Sequence, residues 1–95
     1  MMKTYTVKYK DQVIAQSNDI IEDCGTIYFP LSSINYKFLE KSTFRSSCLF
    51  KNTAIYYHVK VGKEILENAA WTYPDPDPEK EEIKDLIAFV DELLK

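Results

Sequence analysis

The stretch AIYYHVKVGKEILENAAWTY, residues 54–73, contains two β-like runs that meet at a glycine. Apolar and polar side chains alternate before Gly62, which is typical of a half-buried β-strand. The residues after this turn return as a partner strand, and together the two runs predict a hairpin. Since alternate residues of a strand share one face, we expect Trp71 and Tyr73 on the same side of the sheet.

Shorter runs of the same kind precede this hairpin. Residues 4–9 and 13–17 predict an earlier hairpin, and residues 26–29 predict a strand that ends at Pro30, which cannot donate to a sheet ladder. Residues 40–53 form the least regular part of the chain. The pattern therefore predicts antiparallel β structure with about six to eight short strands.

The C-terminal segment has a different pattern. Asp77 followed by Pro78 resembles a helix cap and first helical position, and several glutamates follow. Apolar residues then recur at helical spacing: Ile83, Leu86, Ile87, Val90, Leu93 and Leu94. We expect one amphipathic α-helix from about Pro78 to Leu94, packed across the sheet. The predicted fold is thus one domain, residues 1–95, mostly β with a C-terminal amphipathic α-helix.

Length and composition indicate a globular cytoplasmic domain. The 95 residues can bury one core without disulfides or a structural metal. The longest stretch without a charge, residues 24–36, is shorter than the roughly 20 apolar residues of a membrane helix. The first ten residues lack the apolar region of a secretory signal. We therefore expect reduced thiols at Cys24 and Cys48, with no disulfide between them.

Charge is distributed unevenly along the chain. The formal net charge is −3 overall, yet residues 1–60 carry an excess of cations and residues 61–95 an excess of acids. Duplex nucleic acid is a poor partner for an acidic protein, because affinity there comes from neutralising phosphates. One hypothesis is a homo-oligomer in which acidic residues 75–92 of one copy meet basic residues 37–51 of another. The alternative is that both regions are simply solvated.

Several chemistries are disfavoured by residue counts. Gly25 and Gly62 are the only glycines, so a glycine-rich phosphate loop and its nucleotide cofactor are not expected. A single histidine, His58, and two widely spaced cysteines give no metal-ligand spacing. His58 is interpreted as a strand residue rather than a catalytic base. Asp75 and Asp77 are interpreted as a turn and a helix cap rather than a carboxylate pair.

The candidate site combines the irregular loop with the Trp-x-Tyr pair. Aromatic and cationic residues interleave through residues 36–52, a combination that can bind a base and its phosphate, or single-stranded nucleic acid. The alternative is that these are ordinary strand residues and a solvated loop. The predicted ligand-binding residues are Tyr28, Ser42, Thr43, Cys48, Lys51, Trp71 and Tyr73. We expect them to line one pocket for a small, preferably anionic molecule. In it Lys51 pairs with the anion, Trp71 and Tyr73 stack, and Cys48 is either a packing residue or a nucleophile.

Two alternatives stay open for these residues. Trp71 and Tyr73 can equally be plain core. The domain can also be a non-enzymatic interaction module, in which the acidic C-terminal helix meets a partner protein. No membrane partner is expected, and the sequence does not decide whether the protein is an enzyme.

Four ordered motifs point to a known family. They are YFP at 28–30, LEKST at 39–43, CLFK at 48–51 and ENAAWTYP at 67–74. In this order the chain resembles domain-of-unknown-function family 427 over about residues 5–91. The resemblance implies a β-tent, or Mss4-like, fold; relatives in that group often bind zinc through paired CxxC motifs, which this chain lacks. Family members sometimes carry a nucleotidyltransferase-like label. Where the family usually reads CPYKG, this chain reads CLFKN, and its Asn52 can still adopt a left-handed turn.

Overall fold

A computed structural model describes residues 3–48 and 51–94 of the chain. The described part contains eight β-strands: β1 Tyr5–Tyr9, β2 Gln12–Ser17, β3 Ile21–Asp23, β4 Thr26–Phe29, β5 Leu39–Cys48, β6 Asn52–Val61, β7 Glu64–Thr72 and β8 Ile87–Phe89. Short 3-10 helices connect some of them: Leu31–Ser33, Tyr36–Phe38, Pro78–Ile83 and Asp91–Leu93.

The strands form two antiparallel sheets. The hairpin of β1 and β2 is the smaller one, and its turn residues Lys10 and Asp11 have φ angles of 50° and 66°. Two successive left-handed residues match the twist of a tight hairpin. The larger sheet has six strands in the order β3-β4-β8-β7-β6-β5. The predicted central hairpin supplies β6 and β7, joined at Gly62, whose φ is 60°.

The six-stranded sheet has an apolar cluster on each face. Along β8, Ile87 and Phe89 belong to the first cluster, which also contains residues of the β1–β2 hairpin such as Val7. Ala88 belongs to the second cluster, with Tyr28, Ala54, Tyr73 and Ile83. The first cluster thus holds the two sheets together. The second is covered by the chain that connects β7 to β8 and includes Ile83.

The predicted C-terminal helix from Pro78 to Leu94 is wrong. Within the described residues this segment contains two short 3-10 helices, with strand β8 between them. The first is interrupted at Lys80, whose φ and ψ are −114° and 21°, and Asp85 has a left-handed φ of 62°. The fold is therefore mostly β, without a C-terminal amphipathic helix, and an interaction module based on that helix is withdrawn.

Tertiary pairing explains the correction. β8 lies between β4 and β7, where Ala88 pairs with both Tyr28 and Trp71. Because each face of the sheet carries an apolar cluster, Ile87, Ala88 and Phe89 are all buried in succession. The backbone groups of this three-residue strand are satisfied by its neighbours on either side. The apolar residues of this segment are spaced as in a helix because they are buried, but their spacing alone does not require a helix.

Residues 40–53 are also more regular than the sequence indicates. Most of them form β5, a ten-residue strand that pairs with β6. The pairing register shifts between Lys41 and Arg45, so β5 carries a bulge. The hydroxyl-rich sequence around this bulge obscures the alternation. No helix in the described part of the chain is long and apolar enough to cross a membrane.

Candidate functional site

The centre of the candidate site is the side chain of Lys51, which precedes β6. Its Nζ donates a hydrogen bond of 3.1 Å to the hydroxyl of Tyr28 and lies 3.3 Å from Oδ2 of Asp23. The side chain is only 11% exposed. Burial by itself lowers the pKa of Lys51, but Tyr28 and the Asp23 carboxylate outweigh it and raise this pKa above its ordinary value. Lys51 is therefore a charged ammonium held inside the fold.

Asp23 connects this ammonium to a second one. Nζ of Lys80 lies 2.9 Å from Oδ1 of Asp23, in a hydrogen-bonded ion pair. The hydrogen bond from Lys80 lowers the pKa of Asp23, and although burial opposes this, Lys51 lowers the pKa further. The same carboxylate raises the pKa of Lys80. We call Lys51, Asp23, Lys80 and Tyr28 the Lys51 cluster; with two ammonium groups and one carboxylate, it carries a surplus positive charge.

Local structure explains how these side chains meet. Asp23 ends β3 before a turn in which Cys24 and Gly25 both have positive φ, 52° and 80°. Asn52 has a φ of 62° and donates from Nδ2 to the carbonyl of Asp75 at 2.9 Å. The connection after β7 is thereby fixed beside the turn that holds Lys51. The left-handed geometry expected of Asn52 is observed.

Aromatic rings surround the Lys51 ammonium. Nζ lies 5.5 Å from the ring centroid of Tyr28 and 5.8 Å from that of Tyr73, within cation–π range. Tyr73 is 8% exposed and belongs to the second apolar cluster. Trp71, two residues earlier on the same face of β7, packs against this cluster and is half-buried. Tyr73 therefore packs against Lys51 and offers no open stacking face, whereas Trp71 keeps some exposure.

Of the seven predicted site residues, the structure brings four together: Tyr28, Lys51, Trp71 and Tyr73. Ser42 lies instead in the β5 bulge, where its hydroxyl donates to Oδ1 of Asn68 at 2.5 Å. Thr43 is exposed beside it. The backbone of Cys48 ends β5 opposite Asn52, and its side chain lies outside the described part of the structure.

The predicted set omits Asp23 and Lys80. They lie 57 residues apart, one at the end of a three-residue strand and the other in a 3-10 helix that was predicted as α-helix. No spacing pattern links two such positions. One general rule applies: a buried lysine needs an anionic partner, so burial of Lys51 would imply an acidic residue beside it.

His58 takes part in a separate polar group. Its Nδ1 accepts a hydrogen bond of 3.0 Å from the backbone N–H of Asn68, whose side chain accepts from Ser42. Asn68 has a left-handed φ of 52° and lies where the β6–β7 register shifts. This arrangement supports the interpretation of His58 as a strand residue that fixes a bulge. Asp77 likewise acts as a cap, its Oδ1 accepting from the N–H of Glu79 at 3.2 Å.

Metal binding has no evident site among residues 3–48 and 51–94, which contain no group of three or more potential ligands. Two shallow surface depressions lie elsewhere. One, of 630 Å³, lies between the β1–β2 turn and Glu92; the other, of 540 Å³, lies where β5 begins. Neither of these two depressions is lined by Lys51 or Trp71.

Fold and site together define a small antiparallel β domain in which a buried lysine, Lys51, contacts Asp23 and Tyr28, and Asp23 also binds Lys80. A family profile described as a domain of unknown function, DUF427, matches residues 1–95, and the chain belongs to this family. No curated protein matches the chain.

Proposed function

We propose that this domain binds a small anionic molecule at the Lys51 cluster. One observation carries the proposal: a single carboxylate, Asp23, is shared between the ammonium groups of Lys51 and Lys80. A half-buried site with one surplus positive charge is incompletely neutralised, and a bound anion would complete the neutralisation. A phosphate or carboxylate group provides the required charge and acceptor oxygens.

The two lysines would have different roles. Lys80 is the more accessible, with its side chain 23% exposed, and its ammonium would contact the anion directly. Lys51 is less exposed than Lys80 and would contribute mainly through its charge. This charge acts through a partly desolvated environment, where electrostatic attraction is stronger than in bulk water. Tyr28 would keep the Lys51 ammonium in place through its hydroxyl.

The aromatic and thiol residues would have smaller parts. Trp71 is half-buried at the second apolar cluster and would contact an apolar portion of the ligand. Tyr73 would support Lys51 from the core. The role of Cys48, as a packing residue or a nucleophile, stays a prediction, because binding of an anion at the Lys51 cluster does not require its thiol.

A thermal-shift titration at low salt tests the proposal, because exposed charge interactions are screened as ionic strength rises. Orthophosphate, pyrophosphate and citrate would be added separately to the wild-type chain. A ligand at ten times its Kd stabilises the folded state by about 1.4 kcal/mol. That corresponds to a midpoint rise of about 6–11 °C in a domain of this size.

Two variants locate the effect. Lys80→Ala should abolish the rise, whereas Lys84→Ala, a matched loss of one exposed lysine from the same connecting segment, should retain it. The proposal fails if none of the three anions raises the wild-type midpoint. It fails equally if both variants respond as the wild type does, since the anion would then bind elsewhere.

A further inference from the structure

The longest open edge of the larger sheet is β5. In the strand order β5 lies at one end, and no described strand pairs with its outer side. The opposite end is β3, which is only three residues long and whose last residue, Asp23, accepts a hydrogen bond from Lys80. A ten-residue edge such as β5 presents unpaired backbone groups that can pair with another extended chain.

Positive charge is concentrated along this edge. Lys41 and Arg45 are exposed on β5, and Lys37 is exposed in the 3-10 helix that precedes it. The one acidic residue, Glu40, is 3.7 Å from Lys60 and so is already paired. The edge is therefore cationic in a protein whose formal net charge is −3.

Arg45 also shapes the edge. Its guanidinium donates to the carbonyls of Ser42 and Phe44, at 2.9 and 2.8 Å. These bonds hold the guanidinium over the bulge and occupy two carbonyls of β5. Strand pairing is therefore available on either side of the bulge, at residues 39–41 and 45–47, while the positive charge at its centre is fixed.

An apolar surface continues from the edge onto the sheet. Phe44 is 48% exposed, and its ring packs edge-on against Tyr56 with centroids 4.8 Å apart. Tyr56 in turn lies 6.0 Å from Trp71. Where β5 begins, the 540 Å³ depression is lined by Phe38 and Leu39 together with two lysines. A partner chain on this edge would thus find apolar contacts as well as cations.

The charges distinguish between two possible occupants. Two copies paired edge to edge would bring Lys41 and Arg45 close to their own counterparts, and like charges on adjacent strands are destabilising. The acidic residues 75–92 of a second copy are not a free strand either, because Ile83 and β8 anchor that segment in the core. An acidic extended segment from a different protein has neither disadvantage.

We infer that the β5 edge binds an extended, acidic segment of another protein by strand addition. The partner strand would place acidic side chains beside Lys41 and Arg45 and an apolar side chain against Phe44. Backbone hydrogen bonds would supply affinity, and the alternating side chains would supply specificity. This inference does not depend on anion binding at the Lys51 cluster.

Fluorescence anisotropy with a defined probe tests the inference. The probe is a fluorescein-labelled peptide that alternates glutamate and valine over seven residues. We expect it to bind the full chain at low salt. Lys41→Glu should weaken binding by about threefold to tenfold, which is the range expected for reversing one exposed charge. Lys63→Glu, an equal charge change in the exposed β6–β7 turn, should change binding by less than twofold.

A second peptide separates strand addition from simple charge attraction. It has the same glutamates, but a proline replaces the central valine, which removes one backbone donor and disrupts an extended pairing. We expect binding to be lost. The inference is overturned if both peptides bind equally well, or if the probe binds Lys41→Glu and Lys63→Glu equally well. It is also overturned if light scattering shows a dimer that the probe does not dissociate.

Discussion

Replacing Lys51 by methionine should destabilise the domain while preserving most of its packing. The substitution keeps an unbranched apolar stem but removes the ammonium, which bonds Tyr28 at 3.1 Å and lies 3.3 Å from Asp23. The Asp23 side chain is 13% exposed, so its carboxylate depends on the remaining partner. That partner, Lys80 at 2.9 Å, is unaffected by the change.

The size of the loss in stability depends on which groups lose a partner when the ammonium is removed. Breaking a buried ion pair completely is destabilising by about 3–5 kcal/mol, because one charge is left alone. Here Asp23 retains Lys80, so the expected loss is smaller. It comprises about 1 kcal/mol for the Tyr28 hydrogen bond and a similar amount for weaker neutralisation of Asp23. We therefore expect a decrease of about 2 kcal/mol in the free energy of unfolding, or roughly 8–16 °C in the melting midpoint.

Urea unfolding at neutral pH, followed by the fluorescence of Trp71, measures this loss. Lys63→Met is the matched control, because Lys63 is exposed in the β6–β7 turn, and we expect it to change stability by less than about 0.5 kcal/mol. A double-mutant cycle with Asp23→Asn should show a coupling energy of at least about 0.5 kcal/mol. If Lys51→Met is as stable as the control, the ammonium is not part of a buried network.

Three further predictions concern the pH dependence, the fold and the thiols. The folded state lowers the pKa of Asp23, so the stability that this carboxylate contributes should be complete above the unfolded pKa of about 3.9. It should be lost as pH falls through the lower pKa of the folded state. If the stability of Asp23→Asn depends on acid pH as steeply as that of the wild type, this prediction is contradicted. Far-UV circular dichroism should show a β-dominated spectrum without an α-helical double minimum, since the described part of the chain has only 3-10 helices. Alkylation under denaturing, non-reducing conditions should modify both Cys24, an exposed free thiol, and Cys48; intact mass showing no modification would indicate a disulfide.

The sequence predicts best where strands are long and alternate. The central hairpin and its turn at Gly62 are apparent from residues 54–73, and the family is apparent from motifs such as ENAAWTYP. Prediction fails where tertiary pairing decides the structure. Ile87 to Phe89 become a strand because β4 and β7 leave a space between them, which no local pattern reports.

The candidate site, too, could be predicted only in part from the sequence. Lys51, Tyr28 and Tyr73 have residue types that suit a ligand site, and the fold brings them together. Asp23 and Lys80 could not be added, because their proximity depends on a three-residue strand and an irregular connection. The hydroxyl of Ser42 suits a ligand site by residue type, yet a bulge directs it to Asn68. Long-range pairing of polar side chains therefore limits the prediction of such sites.

Two-dimensional NMR during a pyrophosphate titration at low salt tests whether an anion binds at the Lys51 cluster. We expect saturable shifts of the backbone amides of residues 22–24, 51–52 and 79–81, and much smaller shifts in β5. Loss of these shifts in Lys80→Ala, with the spectrum otherwise preserved, would assign them to the cluster. Shifts absent from all three segments at millimolar pyrophosphate, or concentrated elsewhere on the domain, would contradict the claim.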